Sequence, residues 1–157
     1  FNVSYKGFDL YALFYASVGN DMVNYVRRFT DFVQFAGGRS YDRLYNSWGS
    51  PYLKDNTQAK LPMAETNDTQ SQVVSTAFIE DASFLRLKNL KVGYDINRFL
   101  KNKLRNLQVY GQVSNLFTIT KYSGLDPEVN SSGVNMGVDM GSWPTARQIL
   151  FGVNIGI

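Results

Sequence analysis

The last stretch of the chain alternates almost without a break. Ile149, Phe151, Val153, Ile155 and Ile157 fall on one side of an extended backbone, with Gln148, Gly152, Asn154 and Gly156 on the other. This is the period-2 signature of a strand with two different faces. Only Leu150 breaks it. A flat, branched apolar face on a terminal strand is an aggregation edge in water unless another strand pairs with it and something apolar covers it. A closed barrel in lipid supplies both. A soluble sandwich or lipocalin-like barrel shows the same alternation, so strand length and connection length must separate the two.

The alternation recurs upstream. Phe1, Val3 and Tyr5 alternate with Asn2 and Ser4, and Lys6-Gly7 supplies a tight turn. Phe8, Leu10, Ala12, Phe14, Ala16 and Val18 then face away from Asp9, Tyr11, Leu13, Tyr15 and Ser17. Regular structure is expected again over 77–96, where Leu85 and Leu87 oppose Arg86 and Lys88. The phase slips near Asn89, after which Leu90, Val92, Tyr94 and Ile96 form the apolar set. A one-residue slip inside a long strand predicts a β-bulge. Over 107–120, Leu107, Val109, Val113, Phe117 and Ile119 stand against Gln108, Gln112, Ser114, Thr118 and Thr120. The expected strands are therefore about 1–6, 8–19, 77–96, 107–120 and 146–157. Strands of soluble domains average about 5 to 6 residues. The longer candidates run roughly twice that, enough to cross hydrocarbon at a tilt of about 45°.

The connections alternate in length. Those after Tyr5 and near 98–106 are short, and those over 20–76 and 121–145 are long. An up-and-down barrel puts successive turns at opposite ends, so short turns gather on one side and long loops on the other, the plan of an outer-membrane barrel. Within 20–76, Val23, Val26, Phe29 and Val33 have near-helical spacing, and Ser40 to Tyr45 predict a short capped turn. The segment 121–145, rich in Gly, Asn, Ser and Asp, is expected to be mobile.

Composition narrows the function classes. Tyr (10), Phe (11) and Gly (13) are abundant and 18% of residues are charged, which suits a β protein. No run of about 18 apolar residues marks a transmembrane helix. The net charge of +3 is scattered, without the basic stripe that nucleic-acid binding requires, so no nucleic-acid partner is expected. There is no Cys and no His. Disulfides, thiolate nucleophiles, histidine triads and imidazole zinc sites are thereby removed, leaving carboxylates alone for catalysis. Glu80 and Asp81 are adjacent, so on a strand they point to opposite faces, which is wrong for paired acid/base work. No catalytic residue and no cofactor are expected. The chain starts in mid-pattern with no initiator Met or signal peptide and reads as a piece of something larger.

One stretch resembles a known family: Phe78-Ile79-Glu80-Asp81-Ala82-Ser83-Phe84-Leu85-Arg86-Leu87-Lys88-Asn89-Leu90-Lys91-Val92-Gly93-Tyr94. With Tyr5-Lys6-Gly7-Phe8-Asp9-Leu10, Val18-Gly19-Asn20-Asp21, Ser114-Asn115-Leu116-Phe117-Thr118, Gly124-Leu125-Asp126-Pro127-Glu128 and Pro144-Thr145-Ala146-Arg147, it is similar to the C-terminal part of the SusC/RagA family of TonB-linked outer-membrane transporters of Bacteroidetes. The segment 20–76 matches least. The resemblance implies an all-β, transmembrane antiparallel β-barrel of about 22 strands around an N-terminal plug. This chain would supply about the last five strands, and the plug and TonB-contacting box would lie elsewhere. It further implies TonB-driven import of an oligomeric nutrient, glycan or peptide, across the outer membrane, with a SusD-like surface lipoprotein over the external loops. Family members commonly end in an aromatic, and here Gly152, Ile155 and Ile157 keep the spacing of the terminal signal with Ile in its place.

Candidate residues follow from both readings. Tyr41, Tyr45, Trp48, Tyr52 and Trp143 fall in the long loops, to stack on an arriving sugar or peptide, contact the lid protein or pack the loops together. Arg86, Lys88, Lys91, Tyr110 and Gln112 are expected to face the lumen or the plug, and Ile149, Phe151, Val153, Ile155 and Ile157 to face outer-membrane lipid. Asp126, Glu128, Asn130 and Asp139 have the oxygens for a hard cation but match no standard loop, so no metal is expected. The alternative is a soluble all-β glycan-binding module without transport.

Overall fold

Lys6 and Gly7 adopt φ of 48° and 90°, the mirror-image geometry that lets two residues join strands without splaying their right-handed twist. They close a hairpin in which Tyr5 pairs with Phe8. The computed structural model describes residues 1–32, 39–65, 73, 75–96, 106–129 and 133–156. In chain order its strands and helices are β1 (Asn2–Tyr5), β2 (Phe8–Ser17), β3 (Asp21–Asn24), α1 (Val26–Thr30), α2 (Tyr41–Tyr45), β4 (Ile79–Asp81), β5 (Phe84–Asp95), β6 (Asn106–Ser114), β7 (Thr118–Thr120), β8 (Val138–Asp139) and β9 (Gln148–Gly156). They divide between two units.

The first unit holds residues 1–19, 83–121 and 144–157. Its sheet runs β1-β2-β5-β6-β9 with every neighbouring pair antiparallel, and β7 pairs with β5 beyond the end of β6. The phase slip read near Asn89 is a bulge. Leu13 pairs with Asn89 while Phe14 pairs with Leu87, leaving Lys88 as the extra residue of β5. The strand expected over 107–120 is interrupted on the facing edge. Asn115 turns with φ of 53°, and pairing resumes at Thr118 opposite Arg86. The stretch expected as a single strand over 77–96 is also divided. Thr76–Phe78 is one turn of 3-10 helix, β4 leaves for the other unit's sheet, and β5 begins only at Phe84.

The second unit, residues 20–82 and 122–143, is built from the two long connections. Its sheet is β4-β3-β8, with β3 antiparallel to β4 and parallel to β8. The near-helical spacing of Val23, Val26 and Phe29 is therefore misleading. Asp21–Asn24 is extended and only Val26–Thr30 is helical, while Val33 lies outside the described residues. Alternating Met22 and Asn24 point inward and are buried, so four residues suffice for a strand once partners exist. Ser40 does cap α2, its Oγ accepting from Arg43 N–H at 3.1 Å. The segment 121–145, expected to be mobile, contributes β8 and the buried Tyr122, Asp126 and Asp139. Met22, Ala82 and Tyr122 form its small apolar cluster, with Val129 packed against it.

Candidate functional site

In the first unit the register sorts side chains onto two faces. One carries Phe1, Val3, Leu10, Val92, Val109, Ile149, Phe151, Val153 and Ile155, all exposed, with Phe151 at 82%. Among the described residues no second layer of protein covers Ile149, Phe151, Val153 and Ile155, and Ile157 lies outside those residues. Aromatic pairs stud this face, Phe8 with Tyr94 at 4.4 Å and Phe1 with Phe14 at 5.9 Å between ring centres.

The opposite face is polar and interlocked. Lys91 pairs with Gln112, and its ammonium lies 4.1 Å from the Tyr110 ring centre. Tyr110 in turn lies across Gly152, where an added Cβ would come within 2.5 Å of Cζ. The glycine is there because the ring needs its space. Gln108 donates to Asp9 at 2.7 Å. The Lys88 ammonium sits 4.3 Å from the Tyr15 ring centre. Arg86, only 3% exposed, donates to Thr118 Oγ1 at 2.8 Å and Thr145 Oγ1 at 3.3 Å, with its guanidinium over Phe84. Arg86, Lys88, Lys91, Tyr110 and Gln112 thus share the face that Ile149, Phe151, Val153 and Ile155 leave.

In the second unit three of the five loop aromatics come together. Tyr41 and Tyr45 stack at 6.2 Å and 20°, and Tyr52 meets Tyr45 at 5.3 Å. One helical turn separates Tyr41 from Tyr45, which puts both on the same side of α2. The ladder is stapled from beneath by Arg43, buried, donating to Pro62 O at 2.9 Å, Met63 O at 3.3 Å and Ser47 Oγ at 3.4 Å. Trp48 and Trp143 stand outside this ladder, both exposed, Trp143 at 95%.

The sequence reading missed a polar network. Glu80 accepts from Ser123 N–H and Oγ at 2.8 Å each, from Asn24 Nδ2 at 3.2 Å and from Arg27 Nη1 at 3.2 Å. Arg27 Nε also donates to Asp31 at 2.8 Å. Burial works to lower the Arg27 pKa, and the Asp31 and Glu80 carboxylates outweigh it, leaving it above its usual value. Tyr122 donates to Asp139 Oδ2 at 2.7 Å, while Oδ1 of Asp139 accepts from Gly141 N–H at 2.9 Å and Ser142 N–H at 3.3 Å. Burial first, then the Asp139 carboxylate, raise the Tyr122 pKa well above its usual value. Asp126 Oδ1 caps its own loop by accepting from Glu128 N–H at 2.9 Å. Asp126, Glu128 and Asp139 do not assemble into a metal-holding group of three among the described residues, and Asn130 lies outside them. The signal for the network was the alternation of Asp21-Met22-Val23-Asn24, too short to stand out beside longer strands.

No protein-family model matches the chain. It is 33% identical, over 98% of its residues, to TonB-dependent receptor P3 of Formosa agariphila and to TonB-dependent receptor SusC of Bacteroides thetaiotaomicron. It spans about 15% of the length of these curated relatives. Among solved structures it is similar to the RagAB peptide importer in its open-open state, with a TM-score of 0.74 and 33% identity over 98% of this chain and 16% of that one. The closed-closed state of the same importer gives a TM-score of 0.73 and 32% identity over 96% of this chain.

Proposed function

We infer from this chain's membership of the SusC/RagA family of TonB-dependent receptors that it works in active import across the outer membrane. Its six-stranded antiparallel sheet is a segment of a transmembrane β-barrel. The cargo in this reading is an oligomeric nutrient, a glycan or a peptide, import is driven by TonB, and a SusD-like lipoprotein closes over the external side.

The observation that carries the reading is the division of the sheet into a fully apolar, uncovered face and a cross-linked polar one. Lipid requires the first and a wet bore tolerates the second. On this reading Ile149, Phe151, Val153, Ile155 and Ile157 meet acyl chains, while Arg86, Lys88, Lys91, Tyr110 and Gln112 look into the lumen or onto a plug. The long connections over 20–76 and 121–145 lie outside the cell, where Tyr41, Tyr45, Trp48, Tyr52 and Trp143 meet cargo or lid. The open edges of β1 and β9 pair with further strands of the wall. The relatives are receptors and an importer, and the segment is given no catalytic task.

Deleting the gene in its host and following growth on single purified glycans and peptides tests the import itself: growth undiminished on every one refutes it. The loop assignment has its own test. Tyr45→Ala removes the middle ring of the ladder and is expected to weaken cargo or lid binding by about 2- to 12-fold, the worth of one aromatic contact. Unchanged affinity by calorimetry of Tyr45→Ala, Trp48→Ala and Trp143→Ala in the intact transporter rejects the role of these rings.

A further inference from the structure

The apolar face of the first unit has a gap in it. By register one row across this face reads Val3, Leu10, Val92, Gly111 and Phe151, and the next reads Tyr5, Phe8, Tyr94, Val109 and Val153. A slot of about 450 Å³ opens over Gly111, between Val92, Tyr94, Val109, Phe151 and Val153. On the polar face Gly93 and Gly152 leave room for side chains of this chain, since an added Cβ would strike Gln108 at the first and Tyr110 at the second. Gly111 leaves room for none. Its backbone is outside the left-handed region, and a Cβ there would meet nothing nearer than the Phe151 ring at 3.4 Å. Glycine weakens a strand interior, and where neither turn nor crowding requires it, it marks the close approach of something from outside. Beyond the slot, toward the short turn, lie Tyr5, Phe8 and Tyr94, with the Phe8 and Tyr94 ring centres 4.4 Å apart. Such aromatic rows mark the headgroup level of a membrane barrel. Lys6 follows at the turn, its ammonium 5.2 Å from the Tyr5 ring centre and in no ion pair among the described residues. Strand spacing and rise put Lys6 roughly 15 Å from Gly111. That is half of a hydrocarbon layer of about 30 Å, the depth of one leaflet.

We propose that this face holds one anionic phospholipid of the leaflet on the short-turn side, with an acyl chain in the slot over Gly111 and the phosphate at Lys6. The inference rests on the lipid-facing reading of the sheet and adds to it a fixed partner. An acyl chain gains no hydrophobic energy on passing from bilayer to slot, because lipid is as apolar as the wall. It gains dispersion contacts, which an unfilled slot forfeits. Lys6 supplies three donors and no acceptor, and so selects for the anion. A zwitterionic lipid brings its own cation beside the phosphate, which leaves Lys6 less to add.

Native mass spectrometry of the intact protein tests it, after release from bilayer discs of equal phosphatidylglycerol and phosphatidylcholine with the same acyl chains. The unaltered protein is expected to keep one lipid, phosphatidylglycerol over phosphatidylcholine by about fivefold, the worth of one lysine at an anionic surface. Lys6→Gln is expected to level that ratio without emptying the slot. Gly111→Leu fills the slot and is expected to release lipid of both kinds. Gly111→Ala releases part of it, and decides the matter if the leucine variant does not assemble. An unaltered protein that keeps no lipid, a ratio unmoved in Lys6→Gln, or retention unmoved in the glycine variants overturns the proposal. Where the protein is assembled in the membrane these results sink the bound lipid alone, whereas protein recovered outside the membrane fraction sinks the lipid-facing reading with it.

Discussion

At Tyr122 a single proton links packing to pH. Its O–H donates to the buried Asp139, and Gly124 is confined beside it, since a Cβ there would run into the Tyr122 ring. Tyr122→Phe leaves the carboxylate without its strongest donor and is expected to destabilise the second unit by about 1.5–3 kcal/mol at neutral pH. The pKa raised in the fold means that the folded unit keeps a proton which the unfolded chain releases above about pH 10. The contribution is therefore intact below that pH and is lost as pH rises beyond it. Near-UV circular dichroism against pH should show an alkaline loss of structure that is smaller in Tyr122→Phe. Identical alkaline profiles for the two proteins contradict this account.

Among the elements, β5 shows what an irregular strand is for. Lys88 is surplus in the pairing with β2, and without the bulge Leu85 and Leu90 would fall on opposite sides. Deleting Lys88 heals the strand on the β2 side with all apolar residues still in phase, at the loss of the Lys88–Tyr15 contact, about 0.5–1 kcal/mol. Deleting Lys91 instead sends Val92 and Tyr94 to the polar face, because a slip of one residue inverts everything after it. The expected outcome is that the Lys88 deletion reaches the outer membrane and the Lys91 deletion does not, scored by heat-modifiable gel mobility of the membrane fraction. Equal assembly of both would show that the faces do not matter.

For the whole molecule the decisive property is two-sidedness. Phe151 and Asn154 sit three residues apart on β9, so they belong to opposite faces. Phe151→Lys places a charge where lipid is proposed, at a cost of about 2–4 kcal/mol near the bilayer midplane, and is expected to block assembly. Asn154→Lys places the same charge on the polar face and is expected to assemble normally. Membrane fractionation of the two variants distinguishes a lipid-facing sheet from one covered by protein, for which both changes would be tolerated alike or the order reversed.

The sequence by itself determined β1, β2, β9 and the greater part of β5 and β6, the turn at Lys6-Gly7, the bulge and the two faces, but not the breaks that part β4 from β5 and β6 from β7. Each of these is written in neighbours one or two residues apart, where backbone geometry leaves few options. It also carried the family resemblance through ordered motifs. What only the tertiary structure decided lies in the second unit, where β3, β4 and β8 are strands of two to four residues. Strands so short show too little of a period to stand out, and they exist because distant segments satisfy their backbone. Glu80, weighed in the chain only as an acid/base neighbour of Asp81, became the hub that joins Asn24, Arg27 and Ser123. Tyr41, Tyr45 and Tyr52 were separately legible as loop aromatics, but only the fold around Arg43 stacked them into one surface. Contacts between residues tens of positions apart are set by chain closure and mutual burial, which local pattern does not encode.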